Sequence, residues 1–197
     1  METIKHGDYI IQIEQDEFPF DPREDDNLGM MVCFHDKYNL GDKHEYRQYD
    51  FSSWNEIESQ IQKDTGGAVI LPVRMYDHSG IGVTANPLNF GRYPWNCQWD
   101  SGWVGFIYIS KVDIREEYSI KLVTQKVIAK VKETLIAEVE TYNQYLNGEV
   151  YAYCTKDKSG NVVDYCCGFY NLEYCKEQAI SMAEHYAKKN DNLALAV

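Results

Sequence analysis

The stretch that decides the fold is TQKVIAKVKETLIAEVETYNQYL, which covers residues 124–146. Its apolar side chains recur at spacings of three and four residues, at Val127, Val131, Leu135, Val139, Tyr142 and Leu146. That period places them on one face of a helix of roughly six turns. Gly148 follows the stretch, where a glycine commonly ends a helix. The sequence therefore predicts a long amphipathic helix here.

Shorter apolar or alternating runs on either side of this helix predict strands. There are six such runs, at residues 7–13, 30–34, 68–76, 104–109, 149–155 and 162–170. Lys158-Ser-Gly-Asn161 between the last two is good turn chemistry, so these two strands should form a hairpin. Pro72 lies inside the third strand, which favours an edge position or a bulge there.

Two further helices complete the predicted elements. Ser52 or Ser53 can cap a short helix that buries Ile57 and Ile61, and a closing helix covers residues 172–188. Because turns rather than regular helices separate successive strands, a doubly wound parallel sheet is disfavoured. We expect an α+β fold, in which a mixed, largely antiparallel sheet of about six strands is packed on one face by the two C-terminal helices.

Length and composition suit one domain over residues 1–197, because a 197-residue chain that is 44% hydrophobic can bury a sizeable core. Within it we distinguish an acidic N-terminal third (1–60), a motif-bearing core (68–170) and the closing helix (172–188). No apolar run approaches the ~20 residues that cross a bilayer, and the first residues lack a signal-peptide pattern. The protein is therefore expected to stay in the cytoplasm and away from membranes.

The net charge of −12 is concentrated near the start of the chain. Residues 1–60 contain fifteen acids and five bases, whereas the other 137 residues contain sixteen acids and fourteen bases. The electrostatic field of so uneven a charge distribution repels nucleic acid and would attract a basic groove on a partner. The acids proposed to face that groove are Asp21, Glu24, Asp25 and Asp26. The alternative is that these acids only keep the protein soluble.

The six cysteines form no C-x-x-C pair and are interpreted as free thiols. A binding role needs neither a metal nor a cofactor, and none is expected for it. Two similar phrases lie where strands meet loops, Tyr76-Asp-His-Ser-Gly80 and Cys97-Gln-Trp-Asp-Ser-Gly102. Asp, Ser and Gly are turn formers, so folding alone can explain both phrases. Two other interpretations stay open. Asp77, His78, Asp100 and Ser101 could form a hydrolytic site, and the first three could bind a divalent metal.

Several aromatic residues lie in the loop between the two phrases, within the second phrase and directly after it. Tyr93, Trp95, Trp99 and Trp103 bring large contact areas with a polar handle, a composition that protein interfaces favour. A loop with three tryptophans and little aliphatic content is hard to bury completely. These four residues are therefore the candidate anchors of a binding surface.

The two phrases, the following Val104-Gly-Phe-Ile-Tyr108 and the helix end Glu138-Val-Glu-Thr-Tyr-Asn-Gln-Tyr-Leu-Asn-Gly148 resemble a family of small proteins carried by bacteriophages and plasmids. The resemblance covers about residues 68–170. Mobile-element proteins of this size and acidity are in turn similar to inhibitors of bacterial defence, including anti-CRISPR proteins that occupy the nucleic-acid channels of effector nucleases.

This resemblance implies a non-enzymatic inhibitor in the bacterial host cell. Its expected partner is a host defence nuclease, as protein or protein–RNA complex, such as a type II CRISPR effector, without direct binding of free nucleic acid. Two alternatives stay open. One is a small hydrolase that uses the paired phrases, and the other is a phage structural or assembly protein.

Overall fold

The structure, a computed structural model, describes the backbone of residues 1–194 and the side chains to residue 189, and its fold is α+β as predicted. The strands are β1 (Glu2–His6), β2 (Tyr9–Gln15), β3 (Met30–Cys33), β4 (Ala68–Asp77), β5 (Ile81–Thr84), β6 (Ser101–Ser110), β7 (Tyr151–Lys156) and β8 (Val162–Phe169). The helices are α1 (Trp54–Asp64), α2 (Lys111–Glu117), α3 (Gln125–Leu146) and α4 (Leu172–Ala194).

The strands form two antiparallel sheets of four, with the orders β1-β2-β7-β8 and β3-β6-β4-β5. The expectation of one sheet of about six strands was therefore wrong. All six predicted strands are present, but β1 and β5 were missed because each is short and β1 has Ile4 as its only large aliphatic residue. The local pattern also could not show that the strands divide between two sheets.

Contacts divide the chain into two compact units, whereas the sequence showed no boundary. The first unit joins residues 1–20 to the segment from residue 144 onward, and the second is residues 21–143. The acidic segment 1–60 is thus shared between them. Residues 1–20 contain five acids and one base, and residues 144–197 contain seven acids and five bases. Each unit therefore carries a net charge of −6.

The core of the first unit lies between its sheet and α4. Small side chains on α4 allow the helix to approach the strands closely, and its Cys175, Ala179 and Ala183 are fully buried. They pack against residues of β2 and β7: Tyr9, Ile11, Ile13 and Tyr153. Helix α4 therefore covers one face of this sheet.

The second unit has helices on both faces of its sheet. Ile57 and Ile61 of α1 pack with Val32, Phe106 and Tyr108, while a side chain at Gly29 would run into Leu135 of α3 and into Ile107. Because successive strand residues face opposite sides, Phe106 and Ile107 show that both faces of β6 are covered. This explains why Val104–Ser110 are buried without alternation.

The two C-terminal helices consequently pack on different sheets, α3 in the second unit and α4 in the first. The expectation that both cover one face of a single sheet was wrong, since an amphipathic pattern shows that a face is buried but not what buries it. Among residues 1–194, no helix combines the length and apolarity needed to span a bilayer.

Candidate functional site

The acidic loop of the second unit begins with a 3₁₀ turn at Pro22–Glu24. Asp21 caps this turn, because its Oδ1 accepts a hydrogen bond of 2.8 Å from the backbone N–H of Arg23. Glu24, Asp25 and Asp26 are exposed. Of the four predicted binding acids, Asp21 therefore has a structural role within the loop, and the other three present carboxylates to solvent.

A buried arginine anchors this loop. The side chain of Arg23 is only 3% exposed, and its Nε and Nη2 donate to the carboxylate of Asp42 at 2.9 and 2.6 Å. Nη1 lies 3.3 Å from Glu138 Oε2, and Nη2 also donates to the carbonyl oxygen of Gly29. Burial opposes the charge, but the two carboxylates outweigh it and raise the pKa of Arg23.

Glu138 of α3 extends the network to the backbone. Its Oε1 accepts from the N–H of Leu28 at 2.7 Å and its Oε2 from that of Gly29 at 3.2 Å. Asp42 likewise accepts from the N–H of Met31 at 2.6 Å. The acidic loop is thus held against α3 and β3. The sequence did not predict a role for Arg23 or Glu138. The only hint in the sequence was that Arg23 is a single arginine within a run of acidic residues.

A cavity of about 640 Å³ lies beside this network. Its lining includes one base, Arg23, and six acids: Asp25, Asp26, Asp42, Asp113, Glu116 and Glu117. Since Arg23 is already paired with Asp42 and Glu138, the remaining carboxylates leave the cavity strongly negative. Within the part of the chain that the structure describes, no three His, Cys, Asp or Glu side chains are arranged to hold a metal ion.

The paired phrases come together because β4 and β6 are neighbours. The N–H of Asp77 donates to the carbonyl oxygen of Asp100 at 2.8 Å, and Nδ1 of His78 lies 3.6 Å from Asp100 Oδ2. The same Oδ2 accepts from the thiol of Cys97 at 3.3 Å. Asp100 is therefore the centre of this cluster, between an imidazole that is largely exposed and a partly buried thiol.

The hydroxyl of Ser101 does not join the contacts around Asp100 but bonds to backbone carbonyl groups of its own turn. It donates to the carbonyl oxygen of Cys97 at 2.6 Å and lies 3.2 Å from that of Pro94, so it stabilises the turn that precedes β6. A nucleophilic triad needs an imidazole at the nucleophile. Among the described residues, neither the Ser101 hydroxyl nor the Cys97 thiol is hydrogen bonded to one. The structure thus brings the side chains of His78 and Asp100 together and joins Asp77 to Asp100 through the backbone, but leaves the Ser101 hydroxyl within its own turn.

The four aromatic residues proposed as anchors divide into two groups. Tyr93, Trp99 and Trp103 are 75%, 87% and 42% exposed. Trp95 is half-buried and packs on Gly82, where a Cβ would come within 3.1 Å of the indole ring. Trp95 therefore supports the loop, while the other three present aromatic surface to solvent.

Two aromatic contacts fix the orientation of the exposed rings. The hydroxyls of Tyr93 and Tyr76 are 3.1 Å apart, and this hydrogen bond raises the pKa of Tyr76 to about 12. The ring of Phe90 meets Trp103 edge to face, with centroids 5.3 Å apart. The rings of Tyr93 and Trp103 are thus held in place before any partner binds.

The acidic cavity and the aromatic loop lie at opposite ends of β6. Tyr108 and Ile109 line the cavity, whereas Trp103 is near the start of the strand. At a rise of ~3.3 Å per residue, Trp103 and Ile109 are about 20 Å apart. The second unit therefore has two separate candidate surfaces.

Comparison with protein-family models, curated proteins and solved structures finds no match to this chain. The resemblance to a phage and plasmid family thus stays a prediction.

Proposed function

We propose that this chain is a non-enzymatic inhibitor encoded by a mobile genetic element, which binds a basic surface of a bacterial defence nuclease. The supporting observation is the acidic cavity of the second unit, whose six acids outnumber its single, already paired arginine. Carboxylates in such a cavity accept arginine and lysine side chains of a partner through charge-assisted hydrogen bonds.

Anchoring of the acidic loop supports this role. Glu24, Asp25 and Asp26 repel one another, and a loose loop would let them separate in solvent. The buried contacts of Arg23 with Asp42 and Glu138 hold the start of the loop, and the N–H groups of Leu28 and Gly29 hold its end. A partner therefore meets carboxylates that are already positioned, which lowers the entropic cost of binding.

The same reasoning selects the kind of partner. A groove that binds nucleic acid is lined with lysine and arginine spaced to meet phosphates. A protein that fills this groove with carboxylates would exclude the nucleic acid without binding it. A type II CRISPR effector nuclease with its guide RNA has such a channel, and its inhibition would take place in the bacterial cytoplasm. Tyr93, Trp99 and Trp103 would add apolar contacts at a second point.

The alternative of a small hydrolase gains less support. His78 and Asp100 do meet, but the hydroxyl of Ser101 is hydrogen bonded within its own turn. For a phage structural or assembly protein, the described residues provide no specific argument. The binding role is therefore the proposal that the arrangement of charges supports best.

The test is inhibition of DNA cleavage by a type II CRISPR effector, together with its affinity for the wild-type chain and for the triple variant Glu24→Gln, Asp25→Asn, Asp26→Asn. We expect the variant to bind at least about tenfold more weakly, because neutralised side chains lose charge-assisted contacts. The affinity of the wild-type chain should also fall with salt more steeply than that of the variant.

A matched control neutralises three exposed acids of the same unit that lie outside both the acidic loop and the cavity, Asp36→Asn, Glu45→Gln and Glu58→Gln. It changes the net charge equally and should lose little affinity. Asp21 is left intact because its carboxylate caps the loop. Equal loss in both triple variants would show that only the overall charge matters. Absence of binding by the wild-type chain would refute the choice of partner.

A further inference from the structure

Arg74 in β4 lies against the ring of Trp103 in β6. The two residues are direct neighbours across the strands, and the guanidinium carbon is 4.9 Å from the centroid of the indole ring. This cation–π contact fixes the plane and direction of the guanidinium. The pair is at the start of β6, at the opposite end of this strand from the acidic cavity.

Arg74 differs from Arg23 in its polar contacts. Arg23 is bound by two carboxylates, whereas in the described part of the chain the guanidinium of Arg74 has neither an ion pair nor a hydrogen bond. Its Nε is buried without an acceptor, and the residue as a whole is only partly buried. A planar guanidinium that is oriented but not hydrogen bonded is suited to an oxyanion, which can accept from two of its N–H groups at once.

Local charge permits an anion at this place despite the net charge of the chain. Residues 68–110 contain two arginines, Arg74 and Arg92, and two acids, Asp77 and Asp100. The carboxylate of Asp100 lies beside the imidazole of His78 and accepts a hydrogen bond from the thiol of Cys97. The segment that carries Arg74 and Trp103 therefore has no net charge, so it repels a small anion less than the acidic cavity does.

Aromatic residues lie near the guanidinium on both strands. Trp103 is 42% exposed and is in edge-to-face contact with Phe90. Tyr76 is two residues from Arg74 on the same strand and so shares its face, and Tyr76 is hydrogen bonded to the exposed Tyr93. Aromatic side chains of this kind stack on nucleobases, which have a π-face whatever their identity.

We propose that Arg74 and the rings around it form a site for a nucleoside monophosphate, with the phosphate on the guanidinium and the base stacked on an exposed ring. The site goes beyond the proposed inhibitory role. It shares the exposed rings of Tyr93 and Trp103 with that role, but its phosphate contact is Arg74 and it uses none of the acids of the cavity. Nucleotide binding can therefore be measured without the nuclease, and its outcome does not depend on inhibition. The site is also compatible with the expected lack of binding to long nucleic acids. The acidic chain repels their many phosphate groups, whereas a mononucleotide carries only one.

The test is NMR titration of the full chain with the four nucleoside 5′-monophosphates, with adenosine and with inorganic phosphate. The four indole N–H signals report on the site directly. We expect saturable shifts of the Trp103 signal with at least one nucleotide, and little change for Trp54, which packs between Phe34 and Phe106. Adenosine and inorganic phosphate, each with half of the contacts, should bind at least about tenfold more weakly.

The main variant is Arg74→Gln, which should weaken nucleotide binding about tenfold or more. Arg74→Lys keeps the charge without the planar fork and should give an intermediate affinity, so the test survives if the glutamine variant is poorly folded. Arg115→Gln removes an exposed arginine on α2 and should bind like wild type. Three results would each overturn the proposal: no saturable shift at Trp103, equal binding of inorganic phosphate and nucleotide, or unchanged affinity in folded Arg74 variants.

Discussion

The guanidinium of Arg23 forms two hydrogen bonds with the carboxylate of Asp42, from Nε to Oδ1 at 2.9 Å and from Nη2 to Oδ2 at 2.6 Å. The arginine lies in a loop that is rich in acids, and the aspartate follows a turn nineteen residues later. This buried pair, completed by Glu138, determines the path of the acidic loop on the second unit.

Replacing Arg23 by methionine should strongly destabilise the protein. The substitution leaves Asp42 and Glu138 partly buried without their cation, a change that typically costs about 3–5 kcal/mol. Urea unfolding followed by circular dichroism measures this loss. Arg115→Met on exposed α2 is the control and should change the free energy of unfolding by less than about 0.5 kcal/mol. Similar stability of the two variants would contradict the anchoring role of Arg23.

Two glycines of β6 should respond differently to alanine. A Cβ at Gly105 would overlap the backbone carbonyl of Val32 in β3 and come within 2.9 Å of the Cα of Cys33, so the strands would have to separate. We expect Gly105→Ala to cost about 3 kcal/mol or more. The measurement is the midpoint of thermal or urea unfolding.

Gly102→Ala is the matched control, because a Cβ there meets no atom within 4 Å. It should leave stability nearly unchanged or raise it slightly, since alanine restricts the unfolded chain more than glycine does. If both substitutions cost the same, close approach of β3 is not the reason for glycine at position 105.

Removal of one serine hydroxyl should reveal the cap of α1. Oγ of Ser53 accepts from the N–H of Glu56, whereas Ser52 contributes its backbone N–H to the carboxylate of Glu56. Ser53→Ala should therefore cost about 1 kcal/mol, and Ser52→Ala a few tenths at most. Urea unfolding of both variants distinguishes the two positions. The opposite order would assign the cap to Ser52.

Stability should fall as the pH rises from 9 to 12, in part because of Cys33. Burial, with a smaller effect of Asp42, raises the pKa of this thiol to about 12 from its ordinary value of 9.0. Above pH 9 the unfolded chain loses this proton while the folded chain keeps it, so its contribution is complete below pH 9 and is lost as the pH approaches 12.

Cys33→Ala tests this contribution, because tyrosines titrate in the same interval in both proteins. The free energy of unfolding should decline less steeply with pH in the variant than in wild type, whatever the two values are below pH 9. Parallel curves would show that Cys33 contributes nothing to the alkaline loss of stability.

Several features of the fold were predictable because they are local. The helix face from Val131 to Tyr142 and the strand around Val104 follow from the spacing of apolar residues. Pro72 was predicted at an edge or a bulge. It lies in the part of β4 that pairs only with β6, next to the register shift between Val73 and Arg74. Here a missing backbone donor restricts the strand whatever its partner is.

The candidate site was less predictable, because its contacts join distant parts of the chain. The paired phrases were recognisable, and the pairing of β4 with β6 does bring His78 to Asp100. Arg23 was hidden among acids, since its carboxylate partners are 19 and 115 residues away. Arg74 has no local sequence signal, because its aromatic partner Trp103 lies on another strand.

The sequence by itself determined the α+β class, six of the strands, three of the helices and the excess of acids. Tertiary structure decided that the strands form two sheets, that β2 pairs with β7 and that Arg23 is buried, whereas Arg74 has no acidic partner among the residues that the structure describes. The physical reason is that periodicity and capping depend on neighbours a few residues away, whereas strand partners and ion pairs depend on which distant segments the whole chain brings together.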